Sequence, residues 1–319
     1  MRRLLAALLL PLAGIVSSHA IAAFPDRPIK LVVSMPPGGV ADTVARLVAS
    51  KVAEKLGQPI VVENKPGADG SIAADQVARA TPDGYTLAWV TNSHVVSPLT
   101  LTVPYDALTS FAPVIQVAQA PDVLVVPANS PFNTIADFVG AAKAKPGEVV
   151  YGSAGVSTPS SLEIVLLSNL TGIKMLAVPY KGGSEVMLAL MNGSVQIYFA
   201  TISTAIPYLT SGKMKALAVS SKTRAPQLPN VPTVAEALNL PTFEGGNWLG
   251  VLAPSATPTD VVAALNKAFA GAINAPDVRA KLAELGWTPI ANSPEQFASV
   301  IKNDLARWSD TFKASGGKP

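Results

Sequence analysis

Short apolar runs alternate along this chain with stretches whose apolar residues recur every three or four positions. Ile29 to Val33, just after Pro28, reads as a buried strand. Beyond it Val44, Leu47, Val48, Val52 and Leu56 return at helical spacing, and Gly57 is placed to end that helix. Ile60-Val61-Val62 is the next strand. The loop Asn64 to Gly70 then leads into a short helix over Ser71 to Ala80. Pro82-Asp83-Gly84 signals a turn, and Tyr85 to Val90 is a third strand. A βαβαβ rhythm of this kind predicts a parallel, doubly wound sheet and an α/β fold class.

The middle of the chain repeats the rhythm. Val123 to Val126, Val149 to Gly152, Met175 to Val178, Val195 to Phe199 and Ala216 to Ser220 read as strands, with helices such as Thr134 to Lys145 and Pro159 to Leu170 between them. Gly172, Gly193 and Gly212 sit where helices should stop. The tail opens with a strand, Trp248 to Ala253, and continues as two or three helices. The last begins with Ser293 as N-cap, Pro294 at the first helical position and Gln296 three residues after the cap, a capping box with a proline start.

The length of 319 residues suits two domains. Segments rich in Pro and Gly lie near Ala118–Asp122 and near Pro241–Asn247. Two crossings would leave residues 24–120 plus 246–319 as the first domain and 121–245 as an inserted second one, joined by a two-strand hinge.

The N-terminus changes the picture. Arg2 and Arg3 precede an apolar stretch, Leu4 to Val16, and Ala20-Ile21-Ala22 fits a small-x-small cleavage site. Residues 1–23 therefore read as a signal peptide, cut after Ala22 or Ala23, and the mature protein is expected in the periplasm. Removing Arg2 and Arg3 takes the 24 basic residues to 22 against 21 acidic ones, so the net charge of +3 falls to +1. No basic run with interleaved aromatics offers a nucleic-acid surface. With no cysteine in the chain, disulfides, thiolate metal sites and thiol catalysis are excluded. Neither a cofactor nor a metal is called for, and a monomer is expected.

Two glycine-containing strand-to-helix loops are the candidate chemistry. The first runs Ser34-Met35-Pro36-Pro37-Gly38-Gly39-Val40-Ala41-Asp42 and the second Gly152-Ser153-Ala154-Gly155-Val156-Ser157-Thr158-Pro159. A helix N-terminus presents unsatisfied N–H groups and about half a positive charge, and glycine lets a ligand approach the backbone. Together these favour an anion. The alternative is that the glycines only make tight turns. Neither loop matches a phosphate-cradling or dinucleotide fingerprint, and neither holds Lys or Arg, so a carboxylate suits them better than a phosphate. Thr91-Asn92-Ser93-His94 forms a third polar loop, either ligand-facing or simply solvated. Asp42 is a helix N-cap or a ligand group. His94 is the one histidine left after export, and a hydrolase built on it is the enzymatic alternative. No GxSxG elbow accompanies it, because Val150 stands where the first glycine would be.

The segment Val33 to Arg46, VSMPPGGVADTVAR, resembles the PPGGxxDxxAR signature of the Bug family, the periplasmic binding proteins of tripartite tricarboxylate transporters. The resemblance continues in order through Gly57 to Gly67, Pro82 to Leu87, Val178 to Gly183, Leu217 to Val219 and Leu228 to Thr233. It implies a type II periplasmic-binding-protein fold whose two loops pinch a ligand carboxylate, and it implies no enzymatic activity. Carried over by motif, the binding residues are Pro37, Gly38, Gly39 and Asp42 in the first domain and Gly155, Val156, Ser157 and Thr158 in the second. Thr91, Asn92 and Ser93 follow by position. The implied partners are a small organic carboxylate and either the membrane permease subunits of such a transporter or a sensor protein. Three departures bear on the ligand's remaining atoms. Ser34-Met35 replaces a usual Pro-Phe, Ser161 stands where a His is usual, and Val165 where a Glu is usual.

Overall fold

A computed structural model describes residues 24–155, 158–180 and 182–314. The first strand, β1 (Ile29–Val33), is almost wholly buried. It is parallel to β2 (Ile60–Asn64) on one side and to β3 (Thr86–Thr91) on the other. Between them run α1 (Val40–Leu56) and α2 (Ser71–Ala78). Gly57 ends α1 in the left-handed region (φ 68°), returning its N–H to the Ala53 carbonyl. α3 (Ser93–Thr100) follows β3 with one intervening residue, and β4 (Phe111–Ala120) completes this stretch.

The chain then passes into a second sheet. β5 (Asp122–Pro127) is followed by α4 (Ile135–Ala144), β6 (Val150–Ser153), α5 (Pro159–Thr171), β7 (Leu176–Pro179), α6 (Gly183–Met191), β8 (Tyr198–Thr201), α7 (Ile202–Thr210), β9 (Met214–Val219) and α8 (Val234–Leu238). β5 is the middle of β8-β5-β9 and antiparallel to both neighbours, while β6 and β7 form a parallel pair. A bridge from Tyr151 to Ile197 links that pair to the approach to β8. Local chemistry fixes the helix starts. Thr134 and Thr233 cap α4 and α8 through reciprocal bonds with Asp137 and Glu236, and Pro159 opens α5.

The return strand β10 (Asn247–Pro254) re-enters the first sheet between β3 and β4. α9 (Thr259–Ile273), α10 (Pro276–Glu284), β11 (Thr288–Pro289) and α11 (Pro294–Ala314) complete the chain. At the start of α11 Ser293 and Gln296 bond each other's backbone N–H, as the capping-box reading expects. The six-stranded order is β11-β4-β10-β3-β1-β2. The parallel expectation holds for β2-β1-β3. It fails beyond them, because β10 returns from the second lobe and runs antiparallel to both β3 and β4.

The two crossings lie side by side. Asn247 pairs with Ala120 in the sheet, and its Nδ2 donates to Asp122 Oδ1 at 2.8 Å. α11 packs on α3 and β4 of the first lobe and on α5 of the second, where Asn169 Nδ2 donates to the Thr311 carbonyl at 3.0 Å. One apolar cluster runs through both lobes, joining Leu124 and Phe243 to Trp248 and Trp308.

Candidate ligand-binding cleft

The first loop is shaped by a buried carboxylate. Gly38 adopts φ +82°, a region that favours glycine, and Gly39 precedes α1 with no side-chain cap of its own. Asp42, on the first turn of α1, reaches back instead. Its Oδ2 accepts the Gly38 N–H at 2.9 Å and the Arg46 Nε–H at 3.0 Å. Its Oδ1 accepts Asn64 Nδ2 at 2.8 Å. Asn64 also donates to the Met35 carbonyl (3.0 Å), and Arg46 Nη2 donates to Asn64 Oδ1 (2.7 Å). Burial alone would raise the Asp42 pKa, but the bonds from Arg46, Asn64 and Gly38 and the charge of Arg46 outweigh it and hold the group below its ordinary value. Asp42 is only 2% exposed. It is therefore neither the N-cap nor a group turned toward a ligand; all its lone pairs that matter are spent on the loop. Pro37, Gly38 and Gly39 are exposed, and the amides of Gly39, Val40 and Ala41 lie ahead of the first bond of the helix, Thr43 N–H to the Gly39 carbonyl (2.9 Å).

Beside this loop lies a narrow cavity whose walls include Ser34, Gly70, Thr91, Ser93 and His94. Ser34 Oγ donates to the Trp89 carbonyl (3.2 Å), and a Cβ on Gly70 would come within 3.1 Å of Ser34 Cβ. The predicted third loop is not a loop. Thr91 ends β3 and Ser93 begins α3, with the Ser93 N–H donating to Thr91 Oγ1 (3.2 Å). Thr91 and Ser93 are half-buried at the cavity, but Asn92 is buried and its Nδ2 donates to the Gly246 carbonyl at 3.0 Å. His94 is buried between Tyr105, stacked at 5.6 Å, and Phe111, edge-on at 4.9 Å. Its Nε2 lies 3.1 Å from the Ala107 carbonyl. Burial lowers its pKa to about 4. A buried ring packed between two aromatic rings and held by a backbone carbonyl has the surroundings of a core histidine.

The second loop is held by hydroxyls. β6 ends at Ser153, whose Oγ lies 2.7 Å from Ser161 Oγ on the first turn of α5. The Gly155 N–H donates to Ser153 Oγ (3.3 Å). Thr158 Oγ1 donates to the Gly155 carbonyl at 2.7 Å and lies 3.0 and 3.1 Å from the hydroxyls of Ser160 and Ser161. Ser160 meets the Tyr198 hydroxyl in turn. Gly155 has φ +133°. Gly155 and Thr158 are half-buried, while Val156 and Ser157 lie outside the described residues.

One turn further along α5 stands Glu163, wholly buried, with Oε1 accepting the Gly246 N–H. Burial, and then the charge of Asp122, push its pKa well up. Asp122 is likewise raised by burial, to about 7. Neither acid was among the expected site residues. The available signal was a lone acid amid apolar positions, Leu162-Glu163-Ile164-Val165, two residues before the place where a glutamate is usual. Since Asn92 and Glu163 meet at Gly246, the carboxyl end of β3 and the first turns of α5 converge on the same crossing.

Residues 44–316 match the family model described as the tripartite tricarboxylate transporter family receptor. The chain belongs to this receptor family. It is 32% identical over 323 residues to the protein BugT of Bordetella pertussis (strain Tohama I), covering 100% of this chain and 99% of that protein. Among solved structures, MatC from Rhodopseudomonas palustris with bound malate is 34% identical at a TM-score of 0.75, over 90% of this chain and 99% of that one. An R. palustris protein with adipate is 35% identical at a TM-score of 0.79, over 92% and 98%. The family is one of solute-binding proteins, and the fold is of the periplasmic-binding type. Against the family pattern, Ser161 fills the usual His position as part of the hydroxyl cluster, and Val165 is half-buried.

Proposed function

We propose that this receptor captures a small organic carboxylate between its two lobes and delivers it to the permease of a tripartite transporter. The observation that carries the reading is that Asn92, between Thr91 and Ser93, and Glu163, one turn beyond the second helix-opening turn, both bond the Gly246 peptide at the crossing. The first turn offers amides and neither turn carries a Lys or Arg, which suits a singly charged carboxylate group. Malate and adipate in two relatives support the same ligand class. Pro37, Gly38, Gly39, Thr91 and Ser93 are the proposed contacts in the first lobe, and Gly155, Val156, Ser157 and Thr158 in the second. Asp42 and Asn92 act behind them. Residues 24–120 plus 246–319 would move as one body and 121–245 as the other, after export and cleavage near Ala22 or Ala23. A ligand touching both bodies only when they close favours the closed form.

Thermal-shift screening of the mature protein against mono- and dicarboxylates tests this, because a ligand at about a hundred times its Kd adds about 2.7 kcal/mol to the folded state. Gly39→Asp supplies the control. Gly39 has ordinary dihedrals (φ −75°, ψ 167°), and a Cβ there comes no closer than 3.8 Å to the Pro36 carbonyl oxygen. The new carboxylate would cap α1 itself, so the melting temperature should hold while the shift with acids disappears. A response to sugars alone, or full acid binding by Gly39→Asp, would overturn the reading.

A further inference from the structure

Gly246 is gripped from both lobes at once. Its carbonyl accepts Asn92 Nδ2 from the start of α3, and its N–H is donated to Glu163 on α5. The residue has φ +118°, and a Cβ would stand 3.0 Å from the Ala120 carbonyl oxygen of the other crossing. A Cβ on Gly245 would collide with the Glu163 carboxylate. Both side chains are buried; Asn92 Oδ1 has no partner among the described residues, and beyond the Gly246 N–H Glu163 is met by the Ser220 hydroxyl. A buried acceptor left unpaired is costly.

We propose that Asn92 and Glu163 are positioning residues that set the angle between the lobes through the Gly246 peptide. Rotation at the second crossing turns that peptide, and turning it stretches one tether or the other. Asn92 lies between Thr91 and Ser93, and Glu163 lies one turn beyond Thr158 to Ser161. Both cleft faces therefore bear on a single peptide plane. Glu163 also makes the device sensitive to protons. Facing it are Asp122 from β5, Tyr198 from β8, the Ser220 hydroxyl after β9 and Arg307 from α11. Arg307 is offset by Asp304 (2.5 Å) and Glu244 (3.5 Å). A protonated Glu163 fits this company. An ionised one beside Asp122 would press the crossing apart.

The chain's lack of cysteine permits a direct test. Ser50→Cys and Ser184→Cys place one spin label on an exposed site of each lobe. Their distance distribution is measured by pulsed electron resonance without any ligand, so the result is independent of the carboxylate reading. The unaltered chain should give a narrow distribution at pH 5.5 that shifts to longer distance and broadens by pH 8.5. Glu163→Ala and Asn92→Ala should each give the longer, broader distribution at both pH values. The double variant should be no worse than either, since both tethers hold the same peptide. Glu163→Gln, still an acceptor for the Gly246 N–H, should restore the narrow distribution and abolish its pH response. A folded Glu163→Ala or Asn92→Ala with the original distribution would overturn the proposal, even with a lowered melting temperature. So would a pH response kept intact in Glu163→Gln. Should Glu163→Ala not fold, Asn92→Ala and Glu163→Gln decide the matter alone.

Discussion

The two proposed ligand loops are held in opposite ways. In the first lobe a single ionised carboxylate, Asp42, gathers Gly38, Arg46 and Asn64 into one staple. In the second, Ser153, Thr158, Ser160 and Ser161 share neutral hydroxyl contacts. Charge-assisted bonds are roughly twice as strong as neutral ones, and a carboxylate has no rotor to turn. Hydroxyls can reverse donor and acceptor by rotation. The first loop is thus a fixed jaw, and the second one adapts. A family that varies its ligand while keeping its carboxylate grip has reason to keep the first kind and change the second.

The largest effect expected from breaking this contrast is Asp42→Ala. It strands the Gly38 N–H, the Asn64 amide and Arg46 together. The loss should be about 4 kcal/mol in denaturant unfolding, with carboxylate binding gone. Its counterpart, Thr158→Val, should lose only about 1 kcal/mol. Equal losses would erase the distinction between the jaws.

The lobes should also answer pH with opposite sign. In the first, His94 titrates at about 4 in the folded chain against 6.5 when free. The unfolded state takes that proton first, so stability is full above pH 6.5 and falls as pH drops through 4, by about 3 kcal/mol. Asp42, with its depressed pKa, adds a further loss below 3.8. At the crossing the sign reverses. Asp122, raised to about 7 with Glu163 also raised, holds its proton longer in the folded state. Stability is full below pH 3.8 and declines as pH rises through 7, by about 4 kcal/mol. Asp122→Asn should flatten the alkaline limb and leave the acid one, while His94→Phe should do the reverse. Urea midpoints taken from pH 4 to 8.5 read both, and a variant that flattens both limbs would show them to share one cause.

How much of this was legible in advance divides along similar lines. β1, β2 and β3 announce themselves as apolar runs, and the turn at Pro36 to Gly39 by its residues, because neighbours in sequence decide them. The segment Thr91 to His94 reads as a loop by polarity, yet Asn92 and His94 are buried. Their partners are Gly246, 154 residues away, and an aromatic pair beyond α3. β4 escapes notice because Pro113, Gln116 and Gln119 interrupt its alternation, and its partner β10 lies on the far side of the inserted lobe. Asp42 was legible as part of a motif but not in its role, since its role depends on Asn64 from the next strand. Glu163 and Asp122 acquire theirs from the crossings, which no local pattern records.

A small effect in stability sharpens the comparison most. Ser161 sits where the family pattern has a histidine, and its hydroxyl joins Ser153 to Thr158. Ser161→Ala removes two neutral contacts and should lose about 1 to 2 kcal/mol. A rotor network that adapts to its guest should lose more in selectivity than in stability. Ranking a panel of carboxylates by calorimetry in Ser161→Ala and in Thr43→Ala, a matched hydroxyl loss on the first jaw, separates the two. Thr43 Oγ1 donates only to the Gly39 carbonyl (3.0 Å) within its own helix, so that variant should weaken every acid alike or none. Ser161→Ala should reorder the panel if the hydroxyl cluster of the second loop reads the rest of the ligand. An unchanged ranking would move specificity out of the hydroxyl cluster and onto the first lobe.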